Sequence, residues 1–384
     1  MKTAADRSSR TRKPPAEFTA AQKRQLRRRL LAWYAKHQRD LPWRRSRDPY
    51  RVWVSEIMLH QTQVATVRGY FKRFVRAFPT VDRLAAADEQ QVFRLWEGLG
   101  YYRRARQLHA AAKIIVAEHA GRLPQDVSEL QRLPSIGRYT AGAIASIAFG
   151  QRAAILEANT IRLLSRLIGY RGDPFSSVGQ RILWQTAHDI LPNKDVAQFN
   201  QALMEFGSLV CTPAEPKCDA CPLRTLCTAL AAGLQDKIPR PKPKQRITEL
   251  HEAAVVVRKI GRVLVRQCGP NERWAGLWDF PRFAINAQGP LLARDEIVAK
   301  VRAQTGITCR LGPLVKTIKH DVTRYHITLD CYRAEFVSGR CKSSNGSAVK
   351  WLTTAALAEL PLSTTGREIA RLALSSKTLN RGGN

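Results

Sequence analysis

The sequence has few acidic residues for its length. Only 31 of the 384 residues are Asp or Glu, whereas 63 are Lys or Arg, which gives a formal net charge of +32. Mere solubility rarely needs so large an excess of one sign, and such an excess is typical of chains that bind a polyanion. The composition therefore predicts a nucleic-acid partner.

Long hydrophobic runs are also missing. No segment approaches the roughly 18 consecutive apolar residues of a membrane helix, so no membrane association is expected. Residues 1–20 begin MKTAADRSSRTRKPP, a basic segment without the apolar core of a secretory signal. We interpret this segment as a basic disordered tail. The expected location is cytoplasmic and nucleoid-associated.

Cysteine is scarce, with eight residues in the whole chain, too few for a disulfide scaffold of this length. Four of them fall within residues 211–227 with the spacing Cys-x6-Cys-x2-Cys-x5-Cys: Cys211, Cys218, Cys221 and Cys227. Because thiolates are soft ligands, this cluster predicts a metal centre, either zinc or a cubane iron–sulfur cluster. Zinc sites more often carry two Cys-x2-Cys pairs, which favours iron–sulfur here.

The apolar spacing predicts two domains of different class. Helices with short loops are expected over residues 21–230. The segment KIPRPKPKQR then predicts a stiff linker over residues 231–247. Alternating apolar residues beyond it predict strands with one helix, and hence an α+β domain over residues 248–374 before a tail at 375–384.

Residues 133–164 combine a Leu-Pro-Ser-Ile-Gly turn, a helix of small residues, and a lone acidic residue, Glu157, that opens the next helix. Gly137 is expected to permit the turn. Unpaired backbone N–H groups at the start of the following helix could hold a phosphate. From these residues alone, an ordinary helical turn is the alternative.

Three long motifs give the sequence a family resemblance. The cysteine spacing, following a helical segment with this hairpin, resembles the [4Fe–4S] loop of the endonuclease III and MutY DNA glycosylases. Residues 41–67, LPWRRSRDPYRVWVSEIMLHQTQVATV, and residues 96–109, WEGLGYYRRARQLH, are very similar to the MutY adenine glycosylase signature. The resemblance implies an all-α helix-hairpin-helix glycosylase domain with a [4Fe–4S] cofactor, followed by an α+β MutT-like (Nudix-like) domain.

The resemblance also implies catalytic roles. Glu56 lies in an otherwise apolar helix, where burial would raise its pKa, and it matches the general acid that protonates adenine N7. On its residues alone, a surface glutamate paired with an arginine is the alternative. Glu157 matches the carboxylate that stabilises the oxocarbenium-like sugar, on an arm one methylene longer than the usual aspartate, and Asn159 matches an ordering asparagine. Tyr139 replaces the lysine of bifunctional enzymes; it cannot form a Schiff base, so a monofunctional hydrolase is expected.

Further residues are implied to bind the substrate. Gln61 and Tyr101 would wedge into the duplex around the opposing base, while the base pocket would be lined by Trp43, Arg44, Leu59, Gln201 and Met204. Ser135 and Gly137 belong to the phosphate-gripping hairpin, and Ser135 stands where the family usually has glycine, so a slightly altered hairpin is expected.

The second domain resembles the MutT-like domain with which MutY enzymes recognise 8-oxoguanine. Residues 299–307 lack the clustered glutamates of a hydrolytic Nudix site, so the domain should bind without hydrolysing. The loop that reads the lesion would be residues 318–320, with Lys319 and His320 as its polar members.

The sequence thus predicts an enzyme that removes adenine mispaired with 8-oxoguanine or guanine from double-stranded DNA, acting as a monomer. Two alternatives stay open. A pyrimidine mismatch glycosylase would share the helical domain and the cysteine loop. A non-catalytic DNA-damage binding protein would explain the departures from the family at Glu157, where aspartate is usual, and at Ala158, where glycine is usual.

Overall fold

The computed structural model describes residues 17–241, 246–286, 290–342 and 347–374. The predicted tail at 375–384 and residues 1–16 of the N-terminal tail lie outside these ranges, as do residues 242–245 of the predicted linker. Within the described residues, none of the helices combines the length and apolarity needed to span a bilayer.

The chain divides into two compact units. The first contains Met1–Ala85 and Ala110–Pro243, and the second contains Ala86–His109 and Lys244–Asn384. Residues 86–109, which the sequence assigns to the helical domain, are grouped with residues 244–384 in the second unit. Within this second unit, Gln90 Nε2 donates a hydrogen bond to the carbonyl of Gly276 at 3.0 Å, and Glu97 forms a bidentate salt bridge with Arg367.

The predicted helical class of the N-terminal part is confirmed. The helices are α1 Ala20–His37, α2 Pro49–Leu59, α3 Val64–Ala77, α4 Val81–Ala85, α5 Glu89–Trp96, α6 Arg103–His119, α7 Val127–Arg132, α8 Arg138–Ile147, α9 Ala158–Ile168, α10 Ser177–Ile190, α11 Val196–Leu209 and α12 Thr228–Ala231.

Helix α8 shows why its sequence consists of small residues. It is buried almost throughout and packs against α2, α7 and α11. A Cβ atom added at Gly142 would lie 2.2 Å from the carbonyl oxygen of Ala154, so only glycine fits at this contact. This close packing holds the start of α8 against the elements that carry the candidate site.

The second unit contains a mixed sheet. Its elements are β1 Thr248–Lys259, β2 Arg262–Gln267, β3 Trp278–Asp279, β4 Arg282–Ala284, α13 Pro290–Thr305, β5 Ile307–Val322, β6 Tyr325–Gly339, β7 Val349–Thr353, α14 Thr354–Glu359 and α15 Thr364–Leu374. The strand order is β3-β2-β1-β6-β5, with β4 also pairing with β1 and β7 with β2. Among these strands of the described residues, β1 and β6 pair in parallel and the other pairs are antiparallel.

Both faces of this sheet are covered, as the alternation along β1 predicts. Val255 and Val257 face one apolar cluster together with Ile297 of α13, whereas Val256 faces a second cluster that contains Ile369 of α15. The predicted α+β class of this part is confirmed.

Candidate active site

The first unit contains a pocket of about 180 Å³ that is lined by three glutamates, Glu56, Glu157 and Glu205. We name it the carboxylate pocket after Glu56 and Glu157. Nine residues predicted from the sequence line it: Trp43, Arg44, Glu56, Leu59, Tyr139, Glu157, Asn159, Gln201 and Met204. They come from α2, α8, α9, α11 and the short turn before α2, so the fold brings together segments that are far apart in the chain.

Glu56 is buried near the end of α2 and accepts a 2.6 Å hydrogen bond from the hydroxyl of Tyr139. Burial raises the pKa of Glu56 to about 7, because the hydrogen bond from Tyr139 offsets only part of the desolvation and the negative charge of Glu157 adds to it. A carboxyl group with this pKa is partly protonated near neutral pH and can act as a general acid.

Tyr139 is the second residue of α8, and the packing of that helix fixes its side chain in the pocket. Its hydroxyl lies 3.2 Å from Met204 Sδ as well as 2.6 Å from Glu56 Oε2. Burial and the two nearby glutamates raise its pKa well above the usual value for tyrosine. Tyr139 therefore stays protonated and acts as a hydrogen-bond donor to Glu56.

Glu157 is the N-cap of α9. Its carboxyl accepts hydrogen bonds from the backbone N–H groups of Asn159 at 2.8 Å and Thr160 at 3.0 Å. The backbone N–H of Glu157 donates in return to Thr160 Oγ1, which completes a capping box. The side chain of Glu157, one methylene longer than an aspartate, thus folds back onto the helix that it caps and still lines the pocket. Burial raises the pKa of Glu157, against the lowering effect of these hydrogen bonds.

A hydrogen-bonded path leads from Glu157 to the cysteine segment. The side-chain amide of Asn159 donates to Glu157 Oε2 at 3.2 Å, and its Oδ1 accepts from Arg162 Nη2 at 2.8 Å. Arg162 Nε then donates to the backbone carbonyl of Cys211 at 2.7 Å. Asn159 was predicted to order the site, and the structure shows the contacts through which it can do so.

Sequence reasoning missed one buried acid, Glu205 of α11. It accepts hydrogen bonds from Arg39 and from Arg44, the latter at 2.9 Å. Burial by itself would raise its pKa, but the two guanidinium groups hold that pKa at about 2. The signal was present in the sequence, because Glu205 is a lone acid in the apolar segment ALMEFG, as Glu56 is in its own helix.

The hairpin before α8 differs from the sequence prediction that Gly137 permits the turn. Gly137 has φ −83° and ψ 178°, which any residue can adopt, so the turn does not depend on it. The left-handed residue is Ser135, with φ +64°. Serine therefore keeps the backbone conformation that a glycine would adopt freely, at a strain of roughly 1–2 kcal/mol. A Cβ added at Gly137 would meet nothing within 4 Å, which leaves its backbone open to a partner.

Gln61 and Tyr101 lie outside the carboxylate pocket. Gln61 is exposed in the turn between α2 and α3 with φ +56°, and Tyr101 is 50% exposed before α6 with φ +49°. Left-handed backbone is uncommon for such residues and is enriched at functional sites. Each side chain therefore projects from a turn within its own unit. A residue that inserts into the duplex around the opposing base needs such a position.

The four clustered cysteines line a single apolar cavity of about 30 Å³ and are unpaired thiols. Burial and the neighbouring cysteines raise the pKa of Cys221 to about 12. Arg166 Nη1 lies 3.3 Å from Cys211 Sγ. In the described part of the chain, no group of three or more His, Cys, Asp or Glu side chains has the arrangement of a metal-ion site. The four thiols nevertheless line the same cavity, and thiolates are the ligand type that iron–sulfur clusters use.

In the second unit, residues 318–320 lie in strand β5 and not in a loop, which corrects the sequence prediction. They pair with Leu329, Thr328 and Ile327 of β6. Lys319 is exposed, whereas His320 is half-buried with Nε2 3.2 Å from Arg282 Nη2. These residues form a strand because residues 327–329 of β6 pair with them and so continue the β5–β6 ladder through this segment.

A cleft beside His320 in the second unit is lined by three acids, Glu252, Glu272 and Asp279. Two of them are paired with arginines: Glu252 with Arg273 and Arg282, and Glu272 with Arg266. Carboxylates neutralised in this way are poor ligands for Mg²⁺.

Comparison with known proteins gives two family matches, the first of which also spans residues 86–109 of the second unit. Residues 54–187 match the HhH-GPD superfamily of base excision DNA repair proteins, and residues 253–372 match the NUDIX domain. An adenine DNA glycosylase from Buchnera aphidicola subsp. Schizaphis graminum is 37% identical over 255 residues, which cover 66% of this chain and 74% of that protein. The chain belongs to the adenine DNA glycosylase family.

Longer members of the adenine DNA glycosylase family match as well. The rat adenine DNA glycosylase is 39% identical over 307 residues, covering 77% of this chain and 57% of the rat protein. The chain thus spans about half the length of the mammalian relatives it matches. Among solved structures, a thermostable thymine-DNA glycosylase is similar with a TM-score of 0.51 and 28% identity, over 55% of this chain and 97% of that one.

Proposed function

We propose that this chain is a monofunctional adenine DNA glycosylase of base excision repair. The observation that carries the proposal is that Glu56 and Glu157 line the same pocket. In this pocket the hydroxyl of Tyr139 contacts both Glu56 and Met204 of α11. The pKa of Glu56, about 7, leaves this carboxyl group partly protonated at neutral pH, and Glu157 is held at a helix N-terminus. Two carboxyl groups with separate roles are what N-glycosidic hydrolysis requires.

The reaction balances with these groups alone and one water. Glu56 transfers its proton to N7 of adenine, so the base departs as a neutral molecule when the bond from N9 to C1′ breaks. Glu157 stabilises the positive charge that develops on the sugar. Water then adds to C1′, and its proton passes to a carboxylate, which leaves free adenine and an abasic site.

The base must be flipped out of the duplex to enter the carboxylate pocket. Trp43, Leu59 and Met204 supply apolar walls, while Arg44 and Gln201 supply polar groups. The hairpin offers the open backbone at Gly137 to a phosphate, and Gln61 and Tyr101 would occupy the gap around the opposing base. The partner is therefore double-stranded DNA, with adenine opposite 8-oxoguanine or guanine, and the enzyme acts as a monomer. The predicted cytoplasmic, nucleoid-associated location agrees with such a substrate.

Cys211, Cys218, Cys221 and Cys227 would hold a [4Fe–4S] cluster. When bound, such a cluster links the four thiolates through iron and provides a one-electron redox centre. The cysteine segment is joined to the carboxylate pocket by hydrogen bonds. Arg162 donates to the carbonyl of Cys211 and to the side chain of Asn159, and Asn159 donates to Glu157.

The C-terminal part of the second unit would read the lesion without hydrolysing nucleotides. Support comes from the Nudix match and from acids already paired with arginines. Lys319 is exposed and available to DNA, whereas His320 would act next to Arg282 at the edge of the cleft.

A pyrimidine mismatch glycosylase is the second candidate, because the similar thymine-DNA glycosylase has the fold of the first unit. Incubation with duplexes containing A·8-oxoguanine, A·G or T·G, followed by alkali, distinguishes the two. The proposal predicts strand breaks at adenine in the first two duplexes and none at thymine. Breaks at thymine alone would establish the second candidate, and bound but uncleaved duplexes would establish a binding protein.

A further inference from the structure

The carboxylate pocket has a second cavity behind it. This rear cavity measures about 410 Å³ and shares three lining residues with the carboxylate pocket: Arg44, Ile147 and Gln201. All residues that line either cavity belong to the first unit. The two cavities are therefore neighbours that share part of their lining.

The two cavities are arranged in series along α8 and α11. On α8, Tyr139 beside the hairpin lines only the carboxylate pocket, and Ile147, eight residues further along or about 12 Å at the helical rise, lines both. On α11, Gln198 lines the rear cavity, Gln201 lines both, and Met204 lines the carboxylate pocket. The rear cavity thus lies at the end of α8 that is remote from the hairpin.

Two of the residues that both cavities share, Arg44 and Gln201, differ in how firmly hydrogen bonds hold their side chains. Arg44 is fixed by Glu205 at 2.9 Å and by the carbonyl of Arg39 at 3.3 Å. Gln201 is half-buried, and in the described part of the chain its side chain has one hydrogen bond, accepted from the hydroxyl of Tyr34 at 2.7 Å. Rotation of Gln201 away from Tyr34 would join the two cavities.

The lining of the rear cavity combines an aromatic side chain and amides with the guanidinium groups of Arg44 and Arg47. Tyr34 contributes an aromatic side chain and Gln38 and Gln198 contribute amides, which can donate and accept hydrogen bonds. The rim is open to solvent, because Ala35, Gln38 and Asp195 are exposed. Asp195 has a left-handed backbone, φ +59°, and no side-chain bond to the helix it precedes.

We propose that the rear cavity receives the free purine base after cleavage and releases it to solvent while the abasic DNA is still bound. This inference rests on the proposed function. Once the glycosidic bond breaks, the base lies deeper than the sugar, and DNA held at the hairpin end closes the way by which the base entered. An exit past Gln201 removes the need for the duplex to leave first.

Two time courses in one single-turnover reaction test this route. With the full-length enzyme in excess over an A·8-oxoguanine duplex labelled in the adenine, alkali-sensitive sites report bond cleavage, and rapid filtration reports adenine that has left the protein–DNA complex. The route predicts that adenine appears in the filtrate at the rate of cleavage, well before the duplex dissociates. Adenine that appears only as the duplex dissociates would overturn it.

A substitution at the rim provides the matched comparison. Ala35→Trp would fill the exposed mouth of the rear cavity, whereas Ala21→Trp places the same side chain on an exposed part of α1 away from both cavities. The ratio of adenine release to bond cleavage should fall in Ala35→Trp until release follows duplex dissociation, and should be unchanged in Ala21→Trp. Equal ratios in the two variants would refute the route. Absence of cleavage in the wild-type enzyme would instead refute the proposed function.

Discussion

The hydroxyl of Tyr139 donates a 2.6 Å hydrogen bond to Glu56 and thereby couples the first turn of α8 to the candidate acid in α2. The bond favours the ionised carboxylate, so it holds the pKa of Glu56 lower than burial alone would set it. Tyr139 therefore adjusts the pH range in which Glu56 can donate a proton.

Removing this hydroxyl should shift the pH dependence of excision. In Tyr139→Phe the pKa of Glu56 rises further, so the fall in single-turnover rate with increasing pH should occur at a higher pH than in the wild-type enzyme. The measurement is the rate on an A·8-oxoguanine duplex across the neutral range. An unchanged midpoint would show that Tyr139 does not set the pKa of Glu56.

The cap formed by Glu157 predicts opposite results for two substitutions. Glu157→Asp keeps a carboxylate and a favourable N-cap residue, so excision should persist at the wild-type rate or faster. Glu157→Gln keeps the length of the side chain but loses its charge, and the rate should fall by roughly 10²-fold or more, on the scale of removing one electrostatic stabiliser. Similar rates for Glu157→Gln and the wild-type enzyme would exclude Glu157 from catalysis.

The cysteine loop predicts a specific metal content. Protein purified without oxygen should contain about four iron atoms and four acid-labile sulfides per chain, the content of one cubane cluster. Cys221→Ser should lose both, while Cys341→Ser, at an exposed cysteine outside the loop, should retain them. Stoichiometric zinc without iron would contradict the assignment.

Within the second unit, Arg367 should be a major source of stability. Its Nε and Nη2 atoms bond the two carboxylate oxygens of Glu97 at 2.7 and 2.9 Å, and Nη2 also bonds the carbonyl of Leu360. Lysine cannot reproduce this fork. Arg367→Lys should lower the free energy of unfolding by about 2 kcal/mol, measured by denaturant titration. The control is Arg371→Lys on the exposed side of α15; equal losses in both variants would argue against this role.

The sequence predicted nine of the 18 residues that line the carboxylate pocket, because most of these nine lie in recognisable motifs. It could not predict that the arm of Glu157 folds back as a helix cap, since this depends on where α9 begins. It assigned the turn to Gly137, although Ser135 has the left-handed backbone, because a glycine is the usual signal for such a turn.

Two other features depend on contacts between distant residues. Residues 86–109 carry a family motif of the helical domain, yet Gln90 bonds Gly276 and Glu97 bonds Arg367 in the C-terminal part of the chain. Similarly, residues 318–320 form a strand because β6 pairs with them, which their own sequence does not reveal.

The central claim is that protonated Glu56 drives the excision of adenine. Burial raises the pKa of Glu56 to about 7, and the protonated form is the active one, so activity should be present below that pH and lost as the pH rises through it. The most direct test is the single-turnover rate on an A·8-oxoguanine duplex at increasing pH, for the wild-type enzyme and for Glu56→Gln. We expect the wild-type rate to fall above a pH of about 7 and the Glu56→Gln rate to be undetectable while the duplex is still bound. Excision by Glu56→Gln at the wild-type rate would contradict the account.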